Sequence, residues 1–85
     1  LYRRRFGVTE VSWVDVPPDG AFRARVRIRH RAQPVPGEIR PVETGAWTVE
    51  LDEAAWAPAP GQAAVFYDED DAVIGGGRID QPAAA

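Results

Sequence analysis

The stretch AFRARVRIRHR, residues 21–31, alternates two kinds of side chain. Arg23, Arg25, Arg27, Arg29 and Arg31 fall on one side, and Phe22, Ala24, Val26, Ile28 and His30 on the other. In an extended strand successive side chains point to opposite faces, so the five guanidiniums would stand in a row about 6.6 to 6.8 Å apart. That interval is comparable to the spacing of successive phosphates along one nucleic-acid strand. Each guanidinium is a rigid fork of donors suited to phosphate oxygens, so the row is a candidate for holding an RNA backbone without reading its sequence. The competing reading is a solvated outer face whose arginines pair across strands with Glu10, Asp15, Glu38, Glu50 or Asp52, each pair contributing only about 0.2–1 kcal/mol.

Other chemistries find less support. His30 lies in line with Val26 and Ile28, the place of a hydrogen-bonded core or rim residue. With no Cys, a single His and Ser12 as the only serine, no nucleophile–base set and no thiolate or imidazole metal site can be assembled. The acid run Asp68-Glu69-Asp70-Asp71 lacks the glycine and the terminal Glu of a calcium loop and reads as a hairpin turn. Gly75-Gly76-Gly77 is not followed by the Lys and Ser/Thr of a phosphate cradle; it reads as a bulge or close backbone approach where a barrel closes. Trp13 and Trp47 are expected in the core. Trp56, in a proline-rich loop, is expected to cover the barrel or meet a neighbouring domain, with base stacking as the alternative use of all three indoles. No catalytic residue and no metal ligand is assigned.

The elements that must position these residues are short strands. Eighty-five residues with eight Gly and eight Pro make one small domain in which strands and tight turns are favoured over helices. Residues 1–31 hold eight Arg against Glu10, Asp15 and Asp19, whereas residues 32–85 hold two Arg against ten acids. Any contact with phosphate should therefore come from the first third. No apolar run approaches the roughly 20 residues of a membrane span, and the Arg-rich start is not followed by a signal-peptide core, so a soluble, cytoplasmic protein is expected. A first residue of Leu rather than Met points to a piece of a longer chain or the loss of a leader.

Residues 1–9 are expected to be a connecting segment, 10–81 a β-barrel domain and 82–85 a disordered tail. The first strand is placed near Glu10–Val16, ended by the turn chemistry of Pro17-Pro18-Asp19-Gly20. The alternating strand follows, with Gln33–Gly37 as a bend or edge because proline cannot donate to a ladder. Glu38–Val42 and Ala46–Leu51 form a hairpin, Asp52–Gln62 a loop, and Ala63–Tyr67 and Ala72–Asp80 a last pair. Six evenly spaced strands without helices predict an all-β fold, a small six-stranded antiparallel barrel. Phe22, Val26, Ile28, Val49 and either Val65 or Phe66 are its expected core.

Several short strings occur here in a familiar order. Arg27-Ile28-Arg29-His30-Arg31 and Leu51-Asp52-Glu53 come first. Ala57, Pro60-Gly61-Gln62, Val65-Phe66-Tyr67-Asp68 and Ile74-Gly75-Gly76-Gly77 follow. Over about residues 11–80 the chain resembles the C-terminal domain of bacterial tRNA-specific 2-thiouridylases, long labelled tRNA (5-methylaminomethyl-2-thiouridylate) methyltransferases. The resemblance implies a barrel similar to domain 2 of elongation factor Tu that helps hold tRNA. It also implies a parent enzyme with an N-terminal ATP-pyrophosphatase domain and a central domain, which adenylates the wobble uridine at C2 and receives sulfur from a donor protein through catalytic cysteines. The implied partners are thus tRNA, the two other domains and the sulfur donor. ATP serves the parent and no cofactor this chain. Neither the nucleotide loop nor a cysteine is present, so no catalytic residue carries over. The rival readings are a structural barrel that packs on the catalytic domain without touching RNA, and an unrelated translation-factor-like binding module.

Overall fold

The computed structural model describes residues 2–28, 33–43, 45–56 and 59–80. They form six strands: β1 (Tyr2–Trp13), β2 (Phe22–Arg27), β3 (Val35–Glu43), β4 (Ala46–Trp56), β5 (Ala63–Tyr67) and β6 (Val73–Ile79). Every neighbouring pair is antiparallel, and the order β1-β4-β3-β2-β5-β6 closes on itself. The predicted six-stranded antiparallel barrel is therefore the observed fold. Closure satisfies the backbone groups that an open sheet would leave at its edges.

The period of two in β2 sets which residues go inside. Ala24, Val26 and Ile28 are buried, while Arg23 is exposed and Arg25 and Arg27 are half-buried. Phe6, Val8, Ile39, Val49, Leu51, Phe66 and Ile79 complete the centre. Of the expected core, Val26, Ile28, Val49 and Phe66 are buried, Phe22 packs against the cluster, and Val65 points away from it. Toward one end Trp13 meets Trp47 at 5.0 Å, and Phe22 and Phe66 each at 5.7 Å, between ring centroids. Trp47 is thus buried as expected, while Trp13 is partly buried and packs against the core, the two joined by an edge-on ring contact that adds to area burial.

Several element boundaries differ from expectation, among them the end of the alternating strand, which stops at Arg27, while residues 29–31 of the expected run lie outside the described residues. β1 begins at Tyr2, not near Glu10, so the expected connecting segment of residues 1–9 is strand from Tyr2 onward. Its first half pairs with β4 from Tyr2↔Trp56 to Val8↔Trp47, and its second half pairs with β6. The three consecutive arginines hide the alternation that Phe6 and Val8 then obey. β3 begins at Val35 despite Pro36. Pro36 pairs only with β2, before pairing with β4 begins at Gly37, and Pro41 pairs only with β4, after pairing with β2 has ended at Ile39. Each proline stands where the strand has one neighbour, and there its missing N–H costs the ladder little. β4 runs on to Trp56, past the expected loop start at Asp52, through a register shift opposite Arg4. Arg4 Nε donates to the Leu51 carbonyl at that irregularity, at 3.2 Å.

The glycine run lies at the seam where β6 meets β1. A Cβ on Gly75 would come within 2.6 Å of the Trp13 ring, and one on Gly77 within 2.5 Å of the Thr9 carbonyl oxygen. Opposite them β1 carries a bulge between Thr9 and Ser12, with Glu10 at φ 53°. The close approach expected of the glycines is present, and the extra residue belongs to β1.

Candidate nucleic-acid interface

The arginine row rides on β2, whose neighbours β3 and β5 fix what stands beside each guanidinium. Arg23 faces Glu38 in register, but its side chain reaches past β3 to Asp52 on β4. Two parallel hydrogen bonds, 3.1 and 2.5 Å, join the guanidinium to both carboxylate oxygens. These bonds, helped by the charges of Arg23 and Arg4, hold the Asp52 carboxyl below its usual range against the opposing effect of desolvation. The Arg23 guanidinium is shifted upward by the same pairing. Asp52 was one of the partners expected if the row were a solvated face.

Arg25 forms an ion pair with Asp71. Asp71 ends the acidic turn in the left-handed region, φ 64°. The Asp68 side chain shapes that turn by accepting from the backbone N–H of Asp70 at 2.8 Å and of Ala72 at 3.0 Å. The expected hairpin turn is confirmed, and it delivers a counter-ion to the arginine row that spacing along the chain gave no reason to choose. Arg27 is held differently. Its guanidinium donates to the Tyr67 hydroxyl at 2.5 Å and lies 5.3 Å from the centre of the Tyr67 ring. No carboxylate lies within ion-pair distance of Arg27 among the described residues. Arg29, His30 and Arg31 lie outside the described residues.

The outer wall continues round β3, β4 and β1. Glu50 bridges Arg5, at 3.5 Å, and Arg40, at 3.4 Å, and Arg40 also meets Glu38 at 3.1 Å. Arg5 falls in the expected connecting segment. Only the pairing of β1 with β4, which sets Arg5 opposite Glu50, brings it to this wall. The wall thus carries Arg5, Arg23, Arg25, Arg27 and Arg40, of which Arg27 alone is held by a neutral partner. Chemically, such a wall can exchange hydrogen bonds among its own guanidiniums, carboxylates and phenol, and a guanidinium with a neutral partner can take an anion.

Residues 3–79 match the model of the aminomethyltransferase beta-barrel domain family. The chain is 46% identical over 83 residues to a tRNA-specific 2-thiouridylase MnmA of Chloroflexus aggregans, covering 96% of this chain and 23% of that protein. A Chloroflexus aurantiacus protein of the same name is 43% identical over 86 residues, covering 100% and 24%. A Rhodospirillum rubrum one is 45% identical over 86 residues, covering 93% and 23%. The chain therefore spans about a quarter of the length of the curated relatives it matches. With a match that takes in all six strands, this chain belongs to the aminomethyltransferase beta-barrel domain family, and the resemblance to the C-terminal domain of tRNA-specific 2-thiouridylases holds along its length.

Proposed function

We propose that this chain is the accessory tRNA-positioning domain of an ATP-dependent, cytoplasmic tRNA 2-thiouridylase acting on the wobble uridine, and that by itself it carries no catalysis. The observation that carries the reading is similarity, over nearly the whole of this chain, to about a quarter of the length of proteins named tRNA-specific 2-thiouridylases. The arginine wall supports it physically. A rigid sheet presents cations at phosphate-like intervals, and Arg27 keeps a charge that no described carboxylate offsets. In this reading Arg23, Arg25, Arg27, Arg29 and Arg31 contact the RNA backbone with Arg27 foremost, the other domains bind ATP and receive sulfur from the donor protein, and this domain adds affinity without sequence preference.

The test is tRNA binding by the full-length enzyme as a function of salt. Changing Arg25 and Arg27 to Ala should weaken binding and lower the slope of log affinity against log salt by roughly 1 to 2, because each lost phosphate contact releases less than one counterion fewer on single-stranded or A-form RNA. A folded double mutant with unchanged affinity and slope would remove the arginines from the interface.

That outcome would favour a barrel that packs on the catalytic domain without RNA contact. A specific observation speaks for this second reading: Arg23 and Arg25 already hold Asp52 and Asp71, and phosphate would have to displace both carboxylates.

A further inference from the structure

Three of the four large hydrophobic residues exposed among the described residues lie together at one end of the barrel: Val14 at 72%, Val16 at 80% and Val73 at 48%. They border a groove of about 460 Å³ whose floor is Trp13, Phe22 and Ile74, themselves packed on the core. Val14 is fixed there, since its N–H donates to the carbonyl of Ile74 in β6 at 3.0 Å and prolongs the β1–β6 seam one residue beyond the end of β1. The rim is acidic. Asp15 and Asp68 line the groove, Glu69 and Asp70 follow in the same exposed turn, and no arginine lines it.

Exposed valines gathered over aromatic rings that are continuous with the core form an apolar patch that a partner could cover. Its acidic rim selects a partner that surrounds an apolar contact with Lys or Arg. The curated relatives are about four times the length of this chain, so in such a polypeptide the rest of the chain is tethered to this barrel and present at high effective concentration. We infer that this end of the barrel docks against an apolar face, rimmed by basic residues, on another domain of the same polypeptide. The inference rests on the proposed reading of the chain as one domain of a thiouridylase. The arginine wall would then be left clear for RNA, because β2 presents it on the side of the barrel whereas the groove opens at the end.

Hydrogen exchange on the full-length enzyme and on the 85-residue chain tests the docking. The amides of Asp15, Val16 and Val73 should exchange about tenfold or more slowly in the longer protein, since opening there would require undocking. Val14→Ser with Val16→Ser in the full-length enzyme should bring the rates back toward those of the chain alone, while tRNA affinity keeps its salt slope. Because the comparison of wild-type rates needs no variant, poor folding of the double mutant leaves the test intact. Equal rates in the two wild-type proteins would overturn the inference. Protection that appears only as the concentration of the chain itself rises would overturn it in favour of a second copy, and protection that appears only on adding tRNA in favour of RNA. Loss of thiolation as an activity of the full-length protein would instead remove the functional reading, and the exchange rates would still report whether this end is covered.

Discussion

Arg27 and Arg25 stand two residues apart on one strand, yet one is held by a phenol and the other by a carboxylate. A neutral partner orients the guanidinium without cancelling its charge. Tyr67→Phe keeps the ring under Arg27 and removes the acceptor, so tRNA affinity of the full-length enzyme should fall only about two- to fivefold, the loss of one ordinary hydrogen bond. The salt slope should not change, because the charge remains. Titration at two ionic strengths separates this from the effect of Arg27→Ala. The Arg23–Asp52 pair gives a pH signature. Folding lowers the Asp52 pKa, so its contribution to stability is complete above the usual carboxylate range and disappears as pH falls through the lowered value. Asp52→Asn should therefore reduce the melting temperature slightly at neutral pH, and the difference from wild type should vanish in acid and shrink in high salt, as expected of an exposed pair. The chemistry of these residues was legible in the sequence, but most of their partners were not. Alternation placed the arginines on one face, whereas Asp71 and Tyr67 reach them only through the β2–β5 pairing.

At the scale of elements, the seam between β6 and β1 depends on the absence of side chains. Gly77→Ala places a methyl 2.5 Å from the Thr9 carbonyl oxygen and 2.8 Å from a Val8 methyl, neither of which is the end of a flexible side chain. Denaturant titration should register a loss of about 1–3 kcal/mol. Gly20→Ala meets nothing within 4 Å and should leave stability within about 0.5 kcal/mol of wild type. Local signals fixed some elements closely. β5 spans Ala63–Tyr67 as expected, and the β3–β4 and β5–β6 hairpins are the ones expected, because short turns bring those strands together. β1 starts well before its expected position, since its two halves answer to β4 and β6 and neither neighbour is adjacent in sequence.

At the scale of the whole molecule, one small core carries the fold. Val26 is 1% exposed, and no polar or charged side chain is buried among the described residues. Val26→Asp should therefore leave the chain unfolded in circular dichroism, because an unpartnered charge at that position costs more than the few kcal/mol of net stability a domain of this size holds. Incubated with tRNA, ATP and a persulfide donor, the wild-type chain should leave uridine unmodified, since its sequence contains neither a sulfur nucleophile nor a phosphate loop. Composition, the period of two from Phe22 to Ile28 and the turn residues determined an all-β domain with Val26, Ile28 and Val49 inside, because burial follows directly from which side of a strand a residue occupies. Only the tertiary structure decided that Arg5 joins the wall through Glu50, that Asp71 engages Arg25, and that Val14, Val16 and Val73 gather at one end. Each of those meetings depends on barrel closure and strand register, which bring together residues far apart along the chain and leave no trace in the local spacing of residue types.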